Sequence, residues 1–497
     1  MSTVVSIVAA IGLAAFGVVR GTWAVGGSDS SCYALMAKSF AGGDLQPHSV
    51  LADAPWPGVP ATLAPGGFIP SPLHADAAVP ICAPGMSVLM APLAALFGQD
   101  AIFWLTPIAA FALVLSAFAI GRSLAGGMAG ATAAMLTATS PIVLYQVVQP
   151  MNDILTAALW LLALALGGRQ LIAGALIGIA ILVRPNLAPL AIVLALMPFI
   201  HHRTREQQVR GLLLMIAGAL PGVLVLLWLN RALYGSALGS GYGELSNLFA
   251  VSHIHTNLTN YARAIFQTQH VVPLIGLAAP LVFADDRRKV SLLLLGFAAA
   301  VFGIYLLYAP FPEWWYLRFL IPTIVALLVL ASAVGVHLLS KASMGGVIPI
   351  VAVVLGIIGT RAAGERQAFE LQRMEGRYRL AANIVRERLP ANAVVITVWE
   401  SGSVRFHAGR EIVMWEALDP AWLDRAITWL RSKGQQPYLL LERREEQEFR
   451  ARFRGDSEVG RLDWPPRFDL NRQVRIYNPA DRARFLAGES YATENVR

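Results

Sequence analysis

Charge along this chain is divided so unevenly that the fold class follows from it. Residues 1–361 hold only 16 of the 39 Lys and Arg and 11 of the 31 Asp and Glu; the rest fall in 362–497. Soluble domains are about 25% charged, whereas this chain averages 14%, with 56% hydrophobic residues. The first 361 residues are therefore composed for a bilayer and the remainder for water. The net charge of +8 does not call for a nucleic-acid partner. Much of the excess sits in short loops between apolar runs, where Lys and Arg mark the cytoplasmic side.

Apolar spans are read near 4–19, 101–121, 128–147, 154–167, 170–183, 186–200, 211–230, 271–284, 290–309, 319–338 and 344–360. These predict an all-α polytopic membrane domain of about 11 spans over 1–361, several of them shorter than the roughly 20 residues that cross a bilayer. The run 84–98 is short and contains Pro92, so it is expected to lie at the interface as a juxtamembrane helix. With a cytoplasmic N-terminus, the loops 121–127, 168–170, 201–210, 285–289 and 339–343 carry Arg122, Arg169, Arg203, Arg205, Arg210, Arg287, Arg288, Lys289 and Lys341 on the inner face. This asymmetry predicts a multi-pass protein of the cell (inner) membrane. The loops 21–83 and 231–270 and the C-terminal domain 362–497 then lie on the exported, periplasmic side. That domain reads as α/β, with strands at 393–398 and 437–442 and helices at 376–389, 420–433 and 443–454.

Charged side chains near a bilayer are costly and are functional candidates for that reason. Asp29 follows the first span and precedes a helix predicted over 31–40, with Tyr33, Met36, Ala37 and Phe40 on one side. Asp153 opens the span after MN. Either acid suits general-base work on an acceptor hydroxyl, and either could instead be a helix N-cap. Arg184 interrupts a long uncharged stretch and precedes Pro185, which ends the helix. Its guanidinium suits a lipid phosphate, and Arg318, beside Trp314, Trp315 and Tyr316, is the second such arginine or a snorkelling belt residue. Tyr33, Glu244, Glu313 and Trp315 are further candidates for a donor or acceptor site. His253 and His255 could hold a divalent metal, although two histidines do not make a site. No nucleotide-binding glycine loop is present, so no cofactor is assigned. Cys32 and Cys82 could pair in an oxidising compartment.

These residues resemble the GT-C glycosyltransferases, of the protein O-mannosyltransferase and lipid A aminoarabinose transferase type. SDSSCYALMAKSFAGGDL is similar to the family's acidic motif and first juxtamembrane helix, and APGMSVLMAPLAALFG to its second. SPIVLYQVVQPMNDILTAALW and GALIGIAILVRPNLAPLAI are similar to the later acidic and basic segments. The resemblance implies Asp29 as catalytic base, Asp153 shaping the acceptor or base site, and Arg184 with Arg318 on the lipid phosphate. It departs where the family's acidic pair has Glu and this chain has Ser30. The function it implies is transfer of a sugar from a polyprenyl-phosphate-linked donor to an acceptor that is lipid, glycan or protein. A flippase of a lipid-linked sugar, using the same charges without chemistry, is the alternative; a scaffold displaying the C-terminal domain would leave Asp29, Asp153 and Arg184 unexplained.

Overall fold

The computed structural model describes residues 1–496. Two compact units divide it: residues 1–21, 103–228 and 243–371 form one, and residues 22–102, 229–242 and 372–497 the other. The composition boundary between 361 and 362 does not coincide with this division. Compactness instead gathers most of the first long loop with the C-terminal segment.

Among the described residues, six helical runs are long and apolar enough to cross a bilayer. They are Ser2–Val19, Gln99–Ala138, Arg205–Tyr234, Asp285–Leu306, Trp314–Lys341 and Gly345–Glu365. The second of these is two helices. Gly126 has φ 85°, a conformation that glycine adopts without penalty. A Cβ on Gly121 would lie 3.2 Å from the Ala133 Cβ, whereas a straight helix separates residues at that spacing by about 18 Å. The chain therefore doubles back at Ala125–Gly126, as separate spans at 101–121 and 128–147 require.

Several expected spans are shorter or broken. Asn152–Ala165 and Gln170–Val183 are apolar helices of fewer than 18 residues. The run 186–200 is a tight turn at Pro185–Leu187 followed by Leu190–Leu194 and Met197–His201, because Pro185, Pro189 and Pro198 each remove a backbone donor. The run 271–284 is likewise three short pieces, bent by 100° from the helix before them. That helix, Ile254–Gln269, lies where a loop was expected. Its buried Asn257 donates from Nδ2 to the carbonyls of Tyr305, Leu306 and Tyr308. It thus satisfies carbonyls that the end of helix Asp285–Leu306 leaves without partners.

Small residues set one helix crossing. A Cβ on Gly174 or Gly178 would overlap the carbonyls of Met215 or Ala219, and one on Gly222 would overlap Gly178. Backbones at this separation use the small-residue packing typical of membrane helices.

The strands among the described residues lie in the second unit: β1 Phe68–Pro70, β2 Ala78–Pro80, β3 Ala393–Thr397, β4 Glu411–Met414, β5 Gln436–Glu442, β6 Phe468–Leu470, β7 Val474–Tyr477 and β8 Glu494–Val496. The first two form a hairpin, and the other six a sheet in the order β4-β3-β5-β7-β6-β8. Strands β4, β3 and β5 are parallel, as are β6 and β8, while β7 runs antiparallel to both its neighbours. The two strands read from sequence are β3 and β5, the apolar runs at the sheet's centre. The predicted helices are found as Leu371–Arg388, Leu423–Ser432 and Glu445–Phe453. The first supplies Ala381, Ala382 and Val385 to one face of the sheet. The other two cover the opposite face together with Leu51, Trp56, Val59 and Leu63 of the first loop. That apolar contribution makes the loop part of the domain rather than a tether.

The helix predicted over 31–40 spans Gly27–Ala41. It is not a surface amphipathic helix: Ser30 through Ala37 are all buried. The Cys32–Cys82 disulfide is formed, with Cα atoms 6.2 Å apart, and Ser87 Oγ of helix Gly85–Phe97 donates to the Tyr33 carbonyl.

Candidate active site

Three charged side chains of the first unit, Asp153, Arg184 and Arg318, converge on a break between helices. Gln170–Val183 ends at Arg184, whose ψ of 81° is non-helical, in keeping with the bias against helix that a following proline imposes. Asp153 lies in the first turn of Asn152–Ala165, where the helix dipole favours an anion. Asn152 Nδ2 donates to the Val183 carbonyl at 3.3 Å, fastening the two helix ends together. Arg184 Nη1 then donates to Asp153 Oδ1 at 2.6 Å, and Arg318 Nη1 stands 3.9 Å from Asp153 Oδ2. Asp153 is 1% exposed and the two arginine side chains 13% and 14%.

Aromatic rings hold the guanidinium groups from the other side. The Phe319 ring centre lies 5.0 Å from both guanidinium carbons. Arg184 also lies 5.5 Å from Tyr305 and Arg318 5.3 Å from Tyr316. Tyr305 stacks on Phe319 at 5.0 Å, and its hydroxyl accepts from Asn186 Nδ2 at 3.2 Å. A guanidinium over a desolvated ring gains up to about 2 kcal/mol. Within this unit, two planar cations are thus fixed against one buried carboxylate, an arrangement suited to an oxyanion with several acceptor oxygens.

A groove of about 890 Å³ lies in the same unit, lined mainly by apolar atoms of Met135, Val353, Gly356, Ile357 and Phe369. It also touches Glu365, and the next residue, Arg366, lies 5.9 Å from the Trp314 ring. Trp314 begins the short helix Trp314–Leu320 that carries Arg318.

Asp153, Arg184 and Arg318 are brought together as neighbours. Neither Asp153 nor Asp29 is a helix cap: Met151 and Gly26 hold those positions. Asp29 belongs to the second unit, half-buried in the first turn of Gly27–Ala41. Tyr33, in the same helix, is buried. Trp315 is 38% exposed and stacks on Tyr145, while Glu313 and Glu244 are exposed. His253 Nδ1 bonds the Leu307 carbonyl at 3.0 Å and His255 faces outward. Among the described residues no three His, Cys, Asp or Glu side chains gather as a metal site. Sequence reasoning missed Phe319, Tyr305 and Asn186; the aromatic density around Arg318 was the available signal.

Residues 80–228, which include Asp153 and Arg184, match the family model described as dolichyl-phosphate-mannose-protein mannosyltransferase. No curated protein matches the chain. Among solved structures, ArnT from Cupriavidus metallidurans bound to undecaprenyl phosphate is 13% identical with a TM-score of 0.59, over 91% of this chain and 95% of ArnT. The oligosaccharyltransferase AglB from Archaeoglobus fulgidus, in complex with an inhibitory peptide and a dolichol-phosphate, is 14% identical with a TM-score of 0.57, over 92% of this chain and 72% of AglB. The fold is therefore that of the polytopic GT-C glycosyltransferases, as the sequence motifs implied.

Proposed function

We propose that this chain is a membrane glycosyltransferase that moves a sugar from a polyprenyl-phosphate-linked donor to an acceptor at the exported face of the inner membrane. The observation that carries the reading is the Arg184–Asp153–Arg318 cluster, two cations fixed in a water-poor break between membrane helices. The carriers bound by ArnT and AglB support the same lipid class here, and the apolar groove in the same unit suits an isoprenoid chain.

In the proposed step, the acceptor hydroxyl attacks the anomeric carbon and gives its proton to Asp29. The bond from that carbon to the phosphate oxygen breaks, and its electron pair leaves with the lipid phosphate. Direct displacement inverts the anomeric centre. Arg184 and Arg318 stabilise the charge that grows on the departing oxygen. The short Arg184–Asp153 bond supports a positioning role for Asp153, setting the guanidinium planes, in place of the base or acceptor role that the resemblance implied. Residues 362–497 and the first loop act together as the extramembrane part.

Asp29→Asn tests the division of labour. It keeps shape and hydrogen bonding but takes no proton, so turnover falls by about 10²-fold or more while donor binding is retained. Transfer left intact in that variant would remove Asp29 from the mechanism.

A further inference from the structure

We infer that Glu400 is a positioning residue, whose fully buried, unpartnered carboxyl lets the segment 399–403 lock beneath the helix that carries Asp29; this rests on the reading of Asp29 as the base. All the residues concerned belong to the second unit. Ser401 Oγ accepts from the Gly66 amide at 2.9 Å and donates to the Val398 carbonyl, and Ser403 Oγ donates to the Tyr378 carbonyl at 2.6 Å. Gly402 lies so close to Ser31 that a Cβ would overlap its hydroxyl. At Gly26, the cap of the Asp29 helix, a Cβ would come within 2.5 Å of Glu375 Oε2 and the Tyr378 ring. The start of that helix therefore rests on a close-fitting floor that includes the segment following Glu400.

Glu400 is fully buried, and neither of its carboxylate oxygens has a hydrogen-bond partner. The acids around it do have partners. Arg377 donates to Glu442 Oε1 at 3.0 Å and stands 3.5 Å from Glu375 Oε1. Arg444 pairs with Glu442 Oε2 at 2.8 Å, and Glu445 accepts from the Glu442 and Trp399 amides. On the remaining element, helix Gly27–Ala41 brings Asp29 and Lys38, the latter donating to the Arg405 and Phe406 carbonyls. Burial first, then Glu442, hold the Glu400 carboxyl well above the usual carboxylate range; Arg377 opposes them, and Glu445 and Glu375 add to the rise. An ionised, unpartnered carboxylate at this depth is strongly disfavoured. The molecule escapes that cost by moving Glu400 toward water, which would undo the Ser401, Gly402 and Ser403 contacts and release the helix start.

The test follows hydrogen exchange of residues 27–41 and transfer rate in the purified full chain between pH 7 and 9. In the wild type, exchange corrected for its intrinsic pH dependence rises by up to about tenfold per pH unit, the limit for one released proton. Turnover falls in parallel while KM for the donor stays fixed. Glu400→Gln remains neutral, so the helix stays protected and turnover stays level across the range. A Glu400→Gln protein that shows the wild-type alkaline rise, or that exchanges rapidly even at pH 7, overturns the inference. The exchange readout does not involve proton transfer to Asp29. Full transfer by Asp29→Asn would therefore sink the base reading alone, and an unaltered exchange profile in Glu400→Gln would sink the positioning role alone.

Discussion

Arg184 Nη1 donates to Asp153 Oδ1 at 2.6 Å across 31 residues of sequence, joining the break after one membrane helix to the first turn of another. Asp153 is 1% exposed and faces both Arg184 and Arg318, so losing it takes from two guanidinium groups the carboxylate they share. Asp153→Asn should destabilise the protein by about 3–5 kcal/mol and weaken donor binding through the misplaced guanidinium. Paired with Arg184→Ala in a double-mutant cycle, the two changes should be strongly non-additive, with a coupling of about 1–3 kcal/mol. Additive losses would show that the pair does not act as a unit.

The Cys32–Cys82 bridge ties the Asp29 helix to the segment before helix Gly85–Phe97. Mass mapping of unreduced protein should recover that linkage, consistent with an oxidising, exported location. Replacing both cysteines by serine should cost about 2–5 kcal/mol, seen as a lower Tm. Free alkylation of both thiols in native membranes would contradict it.

The glycine crossing gives a prediction about packing alone. Gly178→Leu places four carbons where even a Cβ meets the Ala219 backbone. Overpacking of this kind costs about 1–3 kcal/mol or more, and Tm in detergent should drop without a change in pH dependence. An unchanged Tm would mean that the helices at 170–183 and 205–234 separate readily.

His407 sets the acid side of the stability profile. Burial, and next the Arg379 charge, hold its imidazole down at about 4 from an ordinary 6.5. Above 6.5 it is neutral folded or unfolded, and its contribution is intact. As pH falls from 6.5 through about 4, the unfolded chain takes up a proton that the folded chain refuses, so stability is lost. His407→Asn should flatten the decline over that window in thermal melts. A decline unchanged in the variant would assign it to other groups.

Legibility in the sequence followed the range of the interaction. Arg184 stood out because it is a lone charge before a proline, and both effects act within two residues. Strands β3 and β5 were readable as apolar runs because they are buried on both faces. Strands β4 and β6–β8 are three or four residues long and carry too little periodicity to read. Helix Ile254–Gln269 was hidden by its own asparagines, whose purpose appears only when Asn257 meets the carbonyls some fifty residues away. The Arg184–Asp153 pair was equally hidden: each residue was singled out, but their contact depends on tertiary packing. Glu400 gave no local signal at all, since an acid after a strand is ordinary until its burial is known.

In the proposed reaction the two arginines receive a lipid phosphate released by sugar transfer. Purified protein incubated with a panel of polyprenyl-phosphate sugars and candidate acceptors, with mass spectrometry of the lipid fraction, tests it directly. The account predicts free polyprenyl phosphate in equal amount to glycosylated product. Arg184→Ala should lower both donor affinity and rate, because the phosphate is charged before and after transfer, and Arg184→Lys should restore only part, keeping the charge without the fork. Donor lipid moved across a bilayer with its sugar still attached, and with no phosphate released from any donor in the panel, would contradict the account.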